Sequence, residues 1–184
     1  MKVVCIQSSP NLDGLTCLMA QAVLEGAKSE GAETELIHLN KLRIESCKAH
    51  DKGWGTCLNE GRCMIDDDFQ NLREKINRAD ALVFSSPVYF GDFSESAKRF
   101  LDRWRRCERK NRETSPLRGK LAIGIAAAGG SGGGAVSALL NLEDYLVWLQ
   151  FNVFDLVNVT RKSKSHKLDM LKVAGKRMVK SQQT

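Results

Sequence analysis

The sequence predicts an α/β protein whose five strands form a parallel, doubly wound sheet with helices on both faces. Short apolar runs rich in β-branched residues alternate along the chain with stretches whose apolar residues recur every three or four positions. This alternation is typical of βαβ units. The chain has 184 residues, of which 42% are hydrophobic and 27% charged, and this composition excludes collagen, low-complexity disorder and small disulfide scaffolds. A chain of this length can bury roughly 70% of its unfolded surface, so we expect one domain over residues 1–184.

Each predicted element rests on its own stretch of sequence. Strands are predicted where apolar residues run together, at 3–6, 34–39, 81–84, 121–126 and 152–160. Helices are predicted where apolar residues repeat at helical spacing, at 15–27, 69–76, 93–104, 136–149 and 166–180. Right-handed crossovers then place helices on both faces of the sheet. Because ligands of such sheets bind beyond the carboxyl ends of the strands, the loops after strands one, three and four are the candidates for a site.

Residues 41–68 form a long irregular insertion after the second predicted strand. They contain three cysteines, Trp54 and several glycines, but no apolar period. Loops of this length inside a compact domain are usually functional or disordered. The cysteines and the tryptophan favour a functional role.

Neither membrane insertion nor secretion is expected. The longest uncharged stretch, 121–142, contains six glycines, so it predicts a strand and a loop rather than a membrane helix. The apolar run at the N-terminus is too short for a signal peptide. We therefore expect a cytoplasmic protein whose six cysteines remain mostly thiols.

The net charge of +6 is unevenly distributed. Residues 98–120 contain 10 basic and 3 acidic side chains, and residues 161–184 contain 8 basic and 1 acidic. Such segments bind an anionic cofactor or nucleic acid, or they are simply solvated helix faces. No helix-turn-helix, zinc-finger or aromatic RNA-binding signature accompanies them, so a nucleic-acid partner is not expected.

The loop after the first strand brings small polar residues to the start of a helix, namely Ser8, Ser9, Asn11, Gly14 and Thr16. It matches neither the dinucleotide pattern G-x-G-x-x-G nor the P-loop pattern. Backbone N–H groups at a helix N-terminus are unpaired and partly positive, so they suit a single terminal phosphate without a Lys or Arg. The same residue types are also typical of an ordinary capped turn.

The loop after the third strand, 85–92, places Tyr89 and Phe90 at the edge of the sheet beside Pro87 and Gly91. A flat heteroaromatic ligand would bury both rings and could hydrogen-bond to the backbone amides of the turn. Packing of the two rings against a neighbouring helix is the alternative.

The loop after the fourth strand consists almost entirely of glycine, with five glycines among residues 129–134. A backbone without side chains can approach a ligand closely, at a cost in conformational entropy that packing alone does not explain. A flexible lid is the alternative. Because all three loops follow parallel strands, we expect them to meet at one edge of the sheet.

In these loops the sequence resembles the NAD(P)H-dependent FMN reductase family, which has the flavodoxin-like fold. Ser9-Pro10 followed by Gly14-Leu15-Thr16 resembles the phosphate loop of the family, although Leu15 stands where the family has Asn. This fold implies the strand order 2-1-3-4-5.

Two further motifs carry the same resemblance. Residues 86–91, Ser-Pro-Val-Tyr-Phe-Gly, resemble the loop that holds the isoalloxazine ring, and the glycines at 129–134 resemble the third flavin loop. The pattern continues into the next helix at Ser94, Lys98, Phe100, Asp102 and Arg103.

The resemblance implies one bound FMN held by residues of all three loops. It assigns no catalytic side chain, because hydride transfer requires no side-chain acid or base and the cofactor supplies the chemistry. The cofactor-binding residues that it implies are Ser8, Ser9, Asn11, Gly14, Leu15, Thr16, Ser86, Pro87, Val88, Tyr89, Phe90, Gly91, Ala128, Gly129, Gly130, Ser131 and Gly132.

The implied function is an oxidoreductase that transfers electrons from NADH or NADPH to a small acceptor, such as a quinone, a nitroaromatic compound or free flavin. A homo-oligomer, such as a dimer, is also implied. From charge alone, the basic residues at 103–106 are candidates to contact the dinucleotide. A non-enzymatic electron carrier is an alternative, but carriers commonly present an acidic face and the pI is about 9.1.

The insertion resembles that of the iron-sulfur flavoproteins of the same family, which place four cysteines within a short stretch. Here Cys47, Cys57 and Cys63 are present, and His50 stands where a second cysteine is expected. Three thiolates and an imidazole can bind zinc or an iron-sulfur cluster, so an iron-sulfur flavoprotein is a further alternative. The spacing fits neither a compact cluster nor a zinc ribbon, and we interpret the three cysteines as structural thiols without a metal.

Overall fold

A computed structural model describes residues 1–182. Its strands are β1 (Lys2–Gln7), β2 (Glu33–His38), β3 (Ala81–Pro87), β4 (Leu121–Ala128) and β5 (Asn152–Thr160). Its α-helices are α1 (Leu15–Ser29), α2 (Thr56–Asn59), α3 (Phe69–Arg78), α4 (Glu95–Glu108), α5 (Ala135–Trp148) and α6 (Lys164–Lys180). The last two positions of the predicted domain, 183 and 184, lie outside the described residues.

The five strands are parallel and lie in the order β2-β1-β3-β4-β5. The predicted fold class and strand order are confirmed. Every residue of β3 and β4 is buried, which explains their continuous apolar sequences, because helices cover both faces of these strands. Since the strands are parallel, their carboxyl ends share one edge of the sheet.

Alternate residues of the strands contribute to two separate cores. On one face, α3, α4 and α5 pack over Val4 and Ile6 of β1, and Trp104 is fully buried there. On the other face, α1 and α6 pack over Val3 and Cys5 of the same strand. Successive side chains of β1 point to opposite faces of the sheet. Alternate residues of this strand therefore contact the two different helix layers.

All ten predicted elements are present, but the helix count is wrong by one. The additional helix, α2, is a single turn within the insertion, too short to show an apolar period in the sequence. α4 begins two residues later than predicted because the Ser94 hydroxyl accepts a hydrogen bond from the Ala97 N–H at 3.3 Å and caps the helix there.

The uncharged stretch 121–142 forms β4, the glycine-rich loop and the first half of α5. The stretch is therefore a strand, a loop and the start of a helix within the α/β fold, rather than one long helix. Among residues 1–182, no helix is both long enough and apolar enough to cross a membrane.

The backbones of α1 and α6 are in contact where the two helices cross. A Cβ atom added at Gly26 would lie 2.0 Å from the carbonyl oxygen of Lys172, and one added at Gly175 would lie 2.1 Å from that of Val23. No side chain fits at either position. One glycine on each helix therefore allows the approach that covers this face of the sheet.

Gly175→Ala is expected to lower the free energy of unfolding by about 2–3 kcal/mol, because the added methyl group collides with backbone atoms. Helix propensity alone predicts that the variant is more stable than the wild type, since alanine is favoured over glycine in a helix by roughly 1 kcal/mol. Denaturant unfolding measures the difference. The control is Lys176→Ala at the exposed neighbouring position, with an expected change below about 0.5 kcal/mol. Equal stability of G175A and the wild type would contradict the close contact.

Candidate functional site

The loops after β1, β3 and β4 meet at one edge of the sheet around a cavity of about 410 Å³, here named the rim cavity. Thr16, Tyr89 and Gly130, which come from the three separate segments, all line it. Its volume lies within the range of roughly 300–1,000 Å³ that small-molecule sites occupy. The lining residues are Ser9, Asn11, Gly14, Leu15, Thr16, Pro87, Val88, Tyr89, Ala127, Gly129, Gly130 and Arg161.

The loops meet because the hydrogen-bond ladders of the sheet continue past the strands. The Ser8 N–H donates to the carbonyl oxygen of Ser85 at 3.0 Å, and the Val88 N–H donates to that of Ala127 at 3.1 Å. The Ser85 hydroxyl also donates to the carbonyl oxygen of Thr16 at 3.0 Å. These bonds hold the three segments side by side where they leave the sheet.

α1 begins at the rim cavity without a side-chain cap. Gly14 occupies the N-cap position, and within residues 1–182 no side chain caps this helix. Its first turn contains no acidic residue. The unpaired N–H groups of the first turn therefore give this corner of the cavity a partial positive charge, which suits an anion. The side-chain-capped turn that the sequence also allowed does not form at α1.

Hydrogen bonds within the loop after β1 fix its shape. The Asn11 N–H donates to the Ser9 hydroxyl at 3.1 Å, and the Asn11 side-chain oxygen accepts from the Asp13 N–H at 3.3 Å. A Cβ atom added at Gly14 would lie 2.9 Å from the Asn11 side-chain nitrogen. A residue larger than glycine at position 14 would therefore displace Asn11.

The loop after β3 presents its aromatic side chains to solvent. Tyr89 is half-exposed and Phe90 is fully exposed, so the alternative in which both rings pack against a helix does not apply to Phe90. Phe90 has a φ of +51° and Gly91 a φ of +83°. Left-handed backbone is rare for a bulky residue, and it places this aromatic ring at the mouth of the site.

A second cavity, of about 490 Å³ and here named the glycine cavity, adjoins the rim cavity, since Val88, Gly129 and Gly130 line both. A Cβ atom added at Gly129 or Gly130 would meet nothing within 4 Å, so this backbone faces open space. A Cβ atom added at Gly134 would lie 2.7 Å from the Cα of Gly91. The loops after β3 and β4 therefore touch at these two glycines. The glycine cavity is also lined by Phe90, Gly91, Ala128, Ser131, Gly132, Gly133 and Gly134.

Two of the predicted site residues, Ser8 and Ser86, lie beneath the loops rather than in the cavities. Both are buried, and neither lines the rim cavity or the glycine cavity. The Ser94 hydroxyl donates to the Ser8 hydroxyl at 2.9 Å, and the Ser94 N–H donates to the Ser86 hydroxyl at 3.1 Å. These serines connect the first two loops to the N-terminus of α4. Every other predicted site residue lines at least one of the two cavities.

Ala127 and Arg161 line the rim cavity without having been predicted from the sequence. Ala127 belongs to β4, and Arg161 follows β5 directly. The rule that ligands bind beyond the carboxyl ends of parallel strands applies to β5 as well. Extending it to this strand would have indicated Arg161.

Arg103 connects α4 to the insertion. Its guanidinium is 1% exposed and donates to the two carboxylate oxygens of Asp67 at 2.6 and 2.9 Å. It also donates to the carbonyl oxygen of Glu45 at 2.9 Å. Burial is the largest single influence and would raise the pKa of Asp67. The hydrogen bond and charge of Arg103, together with the backbone N–H groups of Glu45 and Phe69, outweigh it, and the pKa is lowered. The expectation that this arginine contacts the dinucleotide is wrong, since it is buried and paired.

Two other arginines hold the insertion through its backbone. Arg73 of α3 donates to the carbonyl oxygen of Gly61 at 2.8 Å, and Arg106 of α4 donates to that of Gly53. Arg106 therefore also points toward the insertion. These hydrogen bonds position a segment whose own sequence has no periodic pattern.

Cys47, His50, Cys57 and Cys63 border a single cavity of about 20 Å³. Across residues 1–182, no three Cys, His, Asp or Glu side chains are arranged to hold a metal ion. The Cys63 sulfur instead accepts a hydrogen bond from Arg103 at 3.3 Å. A cavity of this size has room for about one water molecule, so neither the space nor the arrangement of donors fits an iron-sulfur cluster.

Comparison with known proteins identifies the family. The sequence profile of the NADPH-dependent FMN reductase family matches residues 1–164. The chain belongs to this family. It is 32% identical over 147 residues to an iron-sulfur flavoprotein of Methanocaldococcus jannaschii, covering 80% of this chain and 72% of the relative. It is 34% identical over 145 residues to an iron-sulfur flavoprotein of Archaeoglobus fulgidus, covering 79% and 68%.

A solved structure supports the same fold for this FMN reductase family member. The NAD(P)H:quinone oxidoreductase from Methanothermobacter marburgensis superposes with a TM-score of 0.72 at 19% identity, covering 97% of this chain and 96% of that one. The predicted family and the prediction of an oxidoreductase are confirmed. The names of the two archaeal relatives refer to an iron-sulfur cluster, which the residues around Cys63 do not fit.

Asp67→Asn is expected to lower the free energy of unfolding at neutral pH by about 3–5 kcal/mol, because it leaves a buried guanidinium without its counter-charge. The lowered pKa of Asp67 means that its contribution to stability is complete above the unfolded pKa of about 3.9 and is lost as the pH falls through the folded value. The difference between D67N and the wild type should therefore shrink below about pH 4.

Denaturant unfolding at neutral and acidic pH measures both effects. The matched control is Asp66→Asn at the exposed preceding position, with an expected change below about 0.5 kcal/mol. A D67N penalty that is small at neutral pH, or that grows in acid, would contradict the role given to the ion pair.

Proposed function

We propose that the protein is an NAD(P)H-dependent oxidoreductase that binds one FMN at the rim cavity and passes electrons to a small acceptor, such as a quinone, a nitroaromatic compound or free flavin. The observation that carries the proposal is the convergence of three loops on one cavity at the uncapped start of α1. Membership in the NADPH-dependent FMN reductase family supports it. A bound flavin supplies the redox chemistry, while the protein binds and orients it.

The phosphate of the flavin is assigned to the N-terminus of α1. The first-turn N–H groups, the hydroxyls of Ser9 and Thr16 and the Asn11 amide all border this corner of the rim cavity. They supply neutral donors that a phosphate can accept from. Leu15 contributes only its backbone N–H, so the loss of the family's Asn at this position removes a side-chain donor and leaves the backbone donor.

The ring system is assigned to the loop after β3 and to the glycine-rich loop. Pro87, Val88 and Tyr89 give the rim cavity its apolar wall, and the exposed ring of Phe90 gains a partner when a flat ligand covers it. Gly129 and Gly130 allow the backbone to approach the edge of the ring. The proposal assigns these residues binding and orientation, and it assigns no catalytic side chain.

The glycine cavity provides a place for the electron donor and the acceptor. It adjoins the rim cavity through shared residues and has a volume of about 490 Å³. A dinucleotide and a small acceptor that use this space in turn would both lie next to the assigned ring position. This arrangement is consistent with a reductase that alternates between two substrates.

Titration of the apoprotein with FMN, followed by anaerobic mixing with NADPH or NADH, tests the proposal. We expect FMN to bind and to be reduced by the dinucleotide without a partner protein. Binding without reduction would assign the protein to the non-enzymatic electron carriers. Failure to bind FMN would contradict the proposed function.

We also propose a homo-oligomer whose contact includes α5. Val136, Leu140 and Val147 recur on one face of this helix, and each is more than half exposed. Phe90, fully exposed, lies in the loop that touches the start of α5. Adjacent exposed apolar side chains of this kind are typical of association surfaces.

Two further points of the proposal concern location and partners. A cytoplasmic location rests on the six cysteines of the sequence, which a reducing compartment keeps as thiols. No nucleic-acid partner is proposed, and the partners are the dinucleotide, the small acceptor and a second copy of the chain.

Gly130→Leu is expected to weaken FMN binding by about tenfold or more, since the new side chain occupies space that the ligand requires. The fold should be retained, because a Cβ atom at this position meets nothing within 4 Å and Gly130 has no positive φ. Flavin titration measures the loss. The matched control, Ser165→Leu on the exposed surface of α6, should bind FMN like the wild type. Unchanged binding by G130L would place the flavin elsewhere.

Leu140→Glu is expected to shift the oligomer toward monomer, because the contact would have to bury an unpaired carboxylate. Sedimentation velocity at several protein concentrations measures the shift. Ser165→Glu adds the same charge to α6 on the opposite face of the sheet and should leave the assembly unchanged. A wild-type protein that is monomeric at all concentrations would contradict this proposal.

A further inference from the structure

Arg161 is the one cationic side chain among the residues that line the rim cavity. The other lining residues are polar or apolar but uncharged, and the loop after β1 contains no Lys or Arg. That loop instead contains an acidic residue, Asp13. A doubly charged phosphate at this corner would meet helix N–H groups and hydroxyls, and Arg161 alone supplies a full positive charge.

The backbone at Arg161 is held firmly at the rim. The Thr160 hydroxyl accepts a hydrogen bond from the Ser163 N–H at 3.3 Å, and the Ser163 hydroxyl accepts one from the Thr160 N–H at 2.9 Å. This reciprocal cap fixes the turn that begins at Arg161. A Cβ atom added at Gly132 would lie 2.9 Å from the Thr160 methyl group, so the turn also packs against the glycine-rich loop.

Arg161 is exposed, and its guanidinium has no partner among the described residues. Within residues 1–182 it forms no hydrogen bond or ion pair with another residue. In this it differs from Arg103 and Arg106, whose guanidinium groups are bonded to the insertion. A cation that borders a ligand cavity and has no protein partner is available to a ligand anion.

We propose that Arg161 is a specificity residue that selects the phosphorylated flavin over its unphosphorylated form by pairing with the phosphate. The inference rests on the proposed function, since it concerns the same cavity. A guanidinium offers two parallel N–H donors that match phosphate oxygens, and such charge-assisted hydrogen bonds are roughly twice as strong as neutral ones. The uncapped start of α1 and Arg161 would then contact the phosphate from two different elements of the fold.

Arg161 is assigned to the phosphate of the flavin rather than to its ring because the two parts of the ligand differ in charge. The ring lacks the double negative charge that a guanidinium pairs with, and Pro87, Val88 and Tyr89 already provide a wall for it. Riboflavin, which carries the same ring without the phosphate, should therefore be insensitive to the charge at position 161.

The test compares the binding of FMN and of riboflavin to Arg161→Gln and to the wild type by flavin fluorescence titration. For FMN, R161Q is expected to bind roughly 10- to 100-fold more weakly. For riboflavin, the two proteins should differ by less than about twofold. Lys162→Gln removes the same charge from the adjacent exposed residue, which does not line the cavity, and it should bind FMN like the wild type. Arg161→Lys, which keeps the charge but loses the two-pronged geometry, should lie between R161Q and the wild type.

Three outcomes would overturn the inference. The first is R161Q binding FMN as tightly as the wild type. The second is an equal loss for FMN and riboflavin, which would assign Arg161 to the ring or to the fold. The third is an increase in the KM for NADPH with no change in flavin binding, which would assign Arg161 to the dinucleotide. These three leave the proposed function standing, whereas a wild-type protein that binds neither flavin contradicts the proposed function itself and this inference with it.

Discussion

The parallel hydrogen-bond ladder through β1, β3 and β4 is the constraint on which the candidate site depends. The ladder continues beyond the strands, from Ser8 to Ser85 and from Val88 to Ala127. Three segments that are far apart in sequence therefore leave the sheet side by side at the same edge. A slip of one residue in this register would turn every side chain of the slipped strand to the opposite face. The same slip would carry Tyr89 away from the rim cavity. Core packing and site geometry are therefore fixed by a single set of backbone bonds.

A part of this molecule can be predicted from sequence when the interactions that determine its structure are formed by residues close to it in the chain. β3 and β4 are predictable because burial on both faces leaves a continuous apolar run, and the cavity lining is predictable because small residues follow strand ends. The burial of Ser8 is not, since its hydroxyl partner, Ser94, lies 86 positions away. Arg161 was missed for another reason. It opens a run of basic residues that look alike in sequence, and only its place directly after β5 separates it from the others.

The insertion shows the limit of local prediction most clearly. Ala49, Asp51 and Lys52 all have positive φ values, which their residue types rarely adopt, and α2 is only four residues long. Arginines of α3 and α4, rather than local propensity, hold this segment. Beneath it, burial raises the pKa of Cys107 to about 12, so this thiol stays protonated at neutral pH. The insertion is thus organised by the guanidinium groups of Arg73, Arg103 and Arg106.

The crossing of α1 and α6 joins two helices that lie far apart in the sequence. During synthesis α1 leaves the ribosome long before α6 exists, and until then its apolar face, with Val23 and Ala27, lacks the cover that α6 later gives it. The layer on this side of the sheet therefore closes only after residues 164–180 have been translated. Until then the apolar side chains on this face of the sheet lack part of their cover, and apolar surface that is exposed during folding is prone to aggregation.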